Sequence, residues 1–249
     1  MQLAERLKKN ATGVVVTMSD PAAVEIAAAA GVDFVWIDGE HGVIDRATAA
    51  VHLMAAEAKG LPTLYRVPAC DHTEIKKVID LGPDGIIVPM IMNEQDAAKA
   101  VSACRYPIHG GDRGCGFRRK AWYCERDTAE YLDLSKSDPL VILQLEHIDA
   151  YRRLDKILAV EGIGAILIGP YDFSMSMGKP GQFEDKEVNA AFDDAASQIK
   201  AKGLTLGVYC ETAFDRWRAR GVDFMAVKND YNAMALGYKM ALRAARGER

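Results

Sequence analysis

"FVWIDGEHGVIDRATAAVHLMAAEAKGLPTLYRV" runs from Phe34 to Val67. It opens on a short apolar run, "FVWID" (34–38), and passes through a polar turn into "DRATAAVHLMAAEAKG", which has helical periodicity. Gly60 suits the left-handed residue that closes a helix, and "PTLYRV" (62–67) follows as a second apolar run. Strands without alternation are buried on both faces, and a helix between two of them implies parallel pairing.

The same unit recurs. Further candidate strands are "GVVVTM" (13–18), "GIIVPM" (85–90), "VILQLE" (141–146), "AILIG" (165–169), "LGVYC" (206–210) and "FMAVK" (224–228). Helical segments such as "PAAVEIAAAAG" and "NEQDAAKAVSACR" lie between most of them, several closed by glycine. Eight such units predict a (β/α)8 TIM barrel, one domain over residues 1–249. A doubly wound sheet is the alternative, but no GxGxxG follows the first strand. The rhythm breaks at residues 105–127, an irregular loop rich in Gly, Arg and aromatics. Its composition predicts an ordered lid or subunit contact.

With 49% hydrophobic and 27% charged residues, the chain has the balance of a globular protein with a sizeable core. A net charge of -4 with scattered basic residues argues against nucleic acid or an anionic membrane as partner. No apolar run reaches the length of a membrane span, and the first residues lack the order of a signal peptide. Leu3 and Leu7 instead predict a short amphipathic helix. Five cysteines without a CxxC pair predict neither a disulfide framework nor structural zinc, and a cytoplasmic protein.

In a parallel barrel, the C-terminal strand ends converge on one face, where active sites are built. There the chain places Asp38 with Glu40 and His41, then Arg66, Gln144 with Glu146, the turn Gly169-Pro170-Tyr171-Asp172, and Lys228. Glu146 ends a run with no other charge, so it is exposed at the rim, paired with a cation or bound to a metal, and all three remain open. Asp172 is either a helix N-cap or a ligand. Two carboxylates on neighbouring strands, with no Cys or His ligand beside them, suit a hard cation such as Mg²⁺ or Mn²⁺. Arg66 is either a carboxylate's partner or a fixed donor to an anionic oxygen. "GPYDFS" offers backbone N–H groups at a helix start, a seat for a carboxylate. His41 is either a loop residue or a proton acceptor whose tautomer Asp38 fixes. Nothing singles out Lys228 as a Schiff base, and Glu40 receives no role.

Together these residues carry a resemblance. From about Ala11 to Ala235, "WIDGEHGVID", "YRVP", "VIDLGPDGIIVPMIMNEQDAAKAVSACRYP", "LQLEH" and "IGPYDFSMSMG" resemble the HpcH/HpaI aldolases. These are class II pyruvate aldolases of the phosphoenolpyruvate/pyruvate barrel superfamily. The resemblance implies a divalent metal (Mg²⁺, Mn²⁺ or Co²⁺) held by Glu146 and Asp172. It implies Arg66 as donor to the pyruvyl ketone oxygen, His41 as acid/base with Asp38 orienting it, and Gln144 lining the pocket. The amides of Gly169, Pro170, Tyr171 and Asp172 would hold the pyruvate carboxylate, and Asp80 would stand near the site across a subunit boundary. The implied reaction cleaves or forms a 4-hydroxy-2-oxo acid, with small 2-oxo acid and aldehyde substrates and a homo-oligomer, trimer or hexamer.

The loop departs from the family pattern through Asp112, Phe117, Arg118 and Trp122, and Met18 stands where relatives often carry a larger aromatic residue. Both departures bear on aldehyde preference. An oxaloacetate decarboxylase or acyl-CoA lyase would reuse the same barrel, although the chain shows no added basic segment for a nucleotide. Arg66→Ala is expected to abolish turnover with the fold intact.

Overall fold

Residues 3–116 and 119–248 are described by the computed structural model; Phe117, Arg118 and the Trp122 side chain lie outside the described residues. Eight parallel strands close into a barrel in sequence order. They are β1 (Ala11–Val16), β2 (Phe34–Asp38), β3 (Thr63–Arg66), β4 (Gly85–Val88), β5 (Leu140–Leu145), β6 (Ala165–Ile168), β7 (Thr205–Tyr209) and β8 (Phe224–Asn229). The expected (β/α)8 architecture is the observed one.

The helices are α1 (Leu3–Leu7), α2 (Ala22–Ala29), α3 (Arg46–Ala58), α4 (His72–Ile79), α5 (Glu94–Cys104) and α6 (Thr128–Leu134). They continue as α7 (Ile148–Tyr151), α8 (Leu154–Ile157), α9 (Pro170–Ser176), α10 (Lys186–Ala201), α11 (Phe214–Ala219) and α12 (Asp230–Arg246). Several start where an Asp or Asn side chain accepts from the first turn: Asp45 from the Thr48 N–H, Asp71 from Thr73 and Glu74, Asn93 from Asp96. Each cap satisfies N–H groups that precede the first intrahelical bond.

The barrel interior is packed. Phe34 and Phe224 meet edge-on with ring centroids 5.8 Å apart. Gly13 and Gly207 face these rings, and a Cβ at either position would collide with them. Leu7 of α1 joins this inner cluster, so the N-terminal helix plugs the bottom of the barrel. Outside, β2 to β6 bury every residue under helices. The outer face of β1 and β8 is less covered: Thr12 is exposed, and Val14 and Val227 are half-buried. Beside it α12 buries none of its residues.

Two details differ from the sequence reading. β1 covers 11–16 rather than 13–18 because the Thr17 and Met18 N–H groups leave the ladder. Both donate instead to Asp230 Oδ2 at 2.8 Å, and the Thr17 hydroxyl donates to Oδ1 at 2.6 Å. Among the described residues of the 105–127 loop, two 3-10 turns form, Pro107–His109 and Arg119–Cys124. The loop runs down α4 toward the bottom of the barrel: Asp112 lies 3.3 Å from His72, and Lys120 lies 3.0 Å from Asp84. None of its described residues lines the cavity at the barrel mouth. Phe117, Arg118 and the Trp122 side chain, on which the expected effect on aldehyde preference rests, lie outside the described residues.

Candidate active site

A cavity of about 360 Å³ opens at the C-terminal ends of the strands. Asp38, His41, Arg66, Gln144, the 169–172 turn, Tyr209 and Glu211 are among its lining residues. Strand register explains the first contact. Asp38 and Arg66 are direct partners between β2 and β3, so their side chains emerge side by side.

Arg66 donates from Nε to Asp38 Oδ1 at 2.9 Å and from Nη2 to Oδ2 at 2.7 Å. This two-pronged pair is buried, with residue exposures of 2% for Asp38 and 7% for Arg66. Two parallel hydrogen bonds fix the plane of the guanidinium as well as its charge. Its Nη1 remains aimed at Gln144 Oε1, 3.5 Å away, and at Glu40 Oε2 in ion-pair contact at 2.9 Å. The guanidinium also lies over the Trp36 ring, 4.8 Å from its centroid. Burial works against the Arg66 charge, but the Asp38 hydrogen bonds and the surrounding carboxylates outweigh it and raise its pKa.

The expected Asp38–His41 ring pair is not formed. Asp38 gives both oxygens to Arg66, and Oδ1 further accepts from the main-chain N–H groups of Glu40 at 3.0 Å and His41 at 3.4 Å. Asp38 thus shapes the turn that carries His41 rather than holding its imidazole. The His41 side chain is 67% exposed, and Nε2 lies 3.8 Å from Glu40 Oε2. Glu40, left without a role by the sequence, joins Arg66 to His41.

Glu146 follows β5 and is 4% exposed. Its Oε1 accepts from the Met90 N–H at 2.6 Å, and its Oε2 from the Gln144 amide. Met90 adopts φ of +51°, a left-handed conformation that costs a non-glycine residue about 1 kcal/mol. Gly169 closes the opposite side: a Cβ there would sit 3.0 Å from Gln144 Nε2 and 3.1 Å from Glu146 Cβ. A side chain at 169 would therefore press on Gln144 and Glu146, and glycine lets the turn into α9 lie close to both. The predicted seat of four amides is narrower than expected. The Gly169 N–H donates to Leu145 O at 3.0 Å, and Pro170 has no N–H. Tyr171 and Asp172 keep N–H groups ahead of the first intrahelical bond, from Phe173 to Gly169 O.

Desolvation pushes the Glu146 carboxyl up to about 7, and the charges of Glu40 and Asp172 push the same way against the Met90 N–H. Burial likewise raises Glu40, with Asp38 and Asp172 adding to it and Arg66 opposing. Asp38, Glu40 and Glu146 thus act on one guanidinium and Asp172 adds a further negative charge, an excess that a divalent cation would offset. The donors are hard oxygens, the set that Mg²⁺ or Mn²⁺ prefers. Among the described residues no three His, Cys, Asp or Glu side chains are grouped to hold one ion. A cation here would take few protein ligands and keep positions for substrate and water, so the residues fit such an ion.

The family model "HpcH/HpaI aldolase/citrate lyase" matches residues 12–234. The chain belongs to the HpcH/HpaI aldolase/citrate lyase family. Among its relatives are a pyruvate aldolase of Rhizobium etli, 36% identical over 86% of this chain and 85% of the relative. A 4-hydroxy-2-oxovalerate aldolase of Rhodococcus jostii is 34% identical over 90% and 86%. Among solved structures, the citrate synthase SbnG superposes with a TM-score of 0.89 at 28% identity, covering 99% of this chain and 98% of that one.

Other members of the predicted set fall elsewhere. Asp80 caps the end of α4, 3.5 Å from Arg113 in the irregular loop, and is not among the residues lining this chain's cavity. Lys228 Nζ is bound to Glu211 at 2.8 Å. Trp36, Tyr209, Glu211, Tyr231 and Asn232 line the cavity and were missed. Tyr209 and Glu211 follow the strand-end rule that found the others, at the end of the run "LGVYC", and that signal could have found them.

Proposed function

We propose that this HpcH/HpaI family chain is a divalent-metal-dependent aldolase. It cleaves or forms 4-hydroxy-2-oxo acids, giving pyruvate or a close 2-oxo acid and an aldehyde. One observation carries the reading: Arg66, fixed by Asp38, lines a cavity with surplus negative charge together with Gln144, whose amide is bound to buried Glu146. Glu146 and Asp172 are the proposed ligands, and a cation bound there (Mg²⁺, Mn²⁺ or Co²⁺) supplies positive charge to the 2-oxo acid oxygens.

In the cleavage direction the C4 hydroxyl loses its proton, the C4 carbonyl forms, and the C3–C4 bond breaks. The electron pair passes into the pyruvyl unit, leaving negative charge on the C2 oxygen. Arg66 donates to that oxygen as the charge grows, and its paired geometry needs no reorganisation at that moment. Gln144 lines the same wall, and the Tyr171 and Asp172 N–H groups face the substrate carboxylate. His41, exposed at the mouth, takes the C4 hydroxyl proton, and the return of a proton to C3 yields pyruvate. Glu40 tethers both Arg66 and His41.

The test is pyruvate release from a panel of 4-hydroxy-2-oxo acids with added Mg²⁺, Mn²⁺ or Co²⁺. We expect release that EDTA abolishes and metal restores. A folded protein that releases none from any of them overturns the reading, and turnover of oxaloacetate alone identifies a decarboxylase instead.

The chain works as a homo-oligomer, trimer or hexamer. Tyr231, Met234, Leu236, Tyr238, Met240 and Leu242 of α12 are all exposed, apolar side chains that packing against another copy would cover. Cytoplasmic location is supported by five cysteines that form no disulfide. Among the described residues no helix is long and apolar enough to cross a membrane.

A further inference from the structure

One wall of the cavity is not used by the chemistry above. It lies at the ends of β7 and β8 and the start of α12, and consists of Tyr209, Glu211, Asn229, Tyr231 and Asn232. Its polar groups are tied to one another. The Tyr209 hydroxyl donates to Glu211 Oε1 at 2.6 Å, and Lys228 Nζ donates to Glu211 Oε2 at 2.8 Å. Asn232 Nδ2 reaches Glu211 Oε1 at 3.4 Å, and Asn229 Nδ2 reaches the Tyr209 hydroxyl at 3.5 Å. The Asn232 bond is long, so its amide can turn toward a ligand at little cost. Asn229 is held by its Oδ1, which accepts from the Asn232 N–H at 2.9 Å and caps α12.

The charge on this wall is balanced. Burial works to raise the Glu211 pKa, but hydrogen bonds from Lys228 and Tyr209 outweigh it and hold the carboxylate below its ordinary range. Burial and the Glu211 bond raise Tyr209, which stays a neutral hydroxyl. Lys228 is not among the lining residues, so its charge is spent on Glu211 from behind. What faces the cavity is a set of hydroxyl, amide and carboxylate groups, the carboxylate's charge paired with Lys228 behind it, able both to donate and to accept.

Each class of aldehyde substituent meets this wall differently. An alkyl or aryl group would strip water from Tyr209, Glu211 and Asn232 and return no hydrogen bond. A terminal carboxylate would meet Glu211 with no free cation on that wall. A hydroxyl group donates to the carboxylate and accepts from the amides. Sites built to bond a hydroxyl reject analogues that lack one far more strongly than apolar pockets discriminate by size.

We propose that Tyr209, Glu211, Asn229 and Asn232 are specificity-determining residues that select an aldehyde bearing a hydroxyl group. The selection is against alkyl, aryl and carboxylate-terminated aldehydes. It rests on the aldolase reading and names the second substrate of the same site.

The experiment measures addition of pyruvate to glyceraldehyde, propanal and succinic semialdehyde by the metal-loaded protein, as ratios of kcat/KM. Ratios cancel differences in folding and metal loading between variants. We expect glyceraldehyde to exceed both competitors by about 10-fold or more, and Glu211→Gln to reduce that ratio several-fold. Tyr209→Phe does the same and serves where Glu211→Gln fails to fold. Equal use of propanal, a preference for succinic semialdehyde, or a ratio untouched by both variants overturns the assignment. Exchange of the pyruvate C3 protons with solvent deuterium, without any aldehyde, separates the two levels. Exchange together with the wrong preference defeats only the wall, whereas no exchange and no addition to any aldehyde defeats the aldolase reading and the wall with it.

Discussion

Arg66 shows how one residue can serve stability and chemistry together. The sequence reading expects Arg66→Ala to remove turnover and spare the fold; the structure changes that expectation. Removing the guanidinium leaves Asp38 charged, buried and without its partner. Breaking a buried pair on one side costs about 3–5 kcal/mol, so Arg66→Ala should lose that much in urea unfolding as well as turnover. Adding Asp38→Asn should recover part of the stability and none of the turnover. A loss under about 1 kcal/mol in the single variant would show that the pair is not a buried ion pair. Glu40 teaches a related lesson: three residues of "DGEH" looked alike in the sequence. The Arg66 contacts separate them, with Asp38 as clamp, Glu40 as tether and His41 as the exposed group.

At the scale of elements, helix starts carry carboxylates that do local work. Asp71 accepts from the Thr73 N–H at 2.8 Å and the Glu74 N–H at 3.1 Å, and those bonds, the Glu74 one foremost, hold its pKa below the usual carboxylate value. A carboxylate with a lowered folded pKa stabilises fully above its unfolded value, about 3.9, and loses that contribution as pH falls through the folded value. Asn caps a helix nearly as well but does not titrate. The melting temperature of Asp71→Asn should therefore fall less between pH 5 and pH 3 than that of the native chain. Parallel curves for the two proteins would refute the assignment. Asp230 acts across elements, because its carboxylate at the start of α12 gathers the end of β1 and places Thr17 on the cavity. That bond accounts for the early end of β1, which an apolar run continuing to Met18 could not reveal.

At the scale of the molecule, the cover of the barrel is uneven. Strands β2 to β6 are sealed, whereas the outer face of β1 and β8 and the whole of α12 stay open. Tyr231, Met234, Tyr238 and Leu242 recur at helical spacing along one stripe of α12, as a surface packed against another copy would require. Light scattering on the native protein should give a mass several times that of one chain. Tyr238→Glu with Leu242→Glu, on that stripe, should shift it toward the monomer and lower the melting temperature. A native protein that is monomeric at micromolar concentration would remove the oligomer.

The sequence by itself determined the barrel, because unalternating apolar runs separated by helical periods have few other ways to bury both faces of a sheet. It also determined which residue types gather at the strand ends, since strand direction alone sends them to one mouth. Only the tertiary structure decided their partners. Asp38 meets Arg66 through strand register, glycine at 169 lets the turn into α9 lie close to Glu146, and Tyr209 meets Glu211 and Asn229 through the close of β7 on β8. These contacts join positions distant in the chain or turned by local backbone geometry. Hydrophobic pattern fixes which face a residue takes, but not which neighbour it finds there.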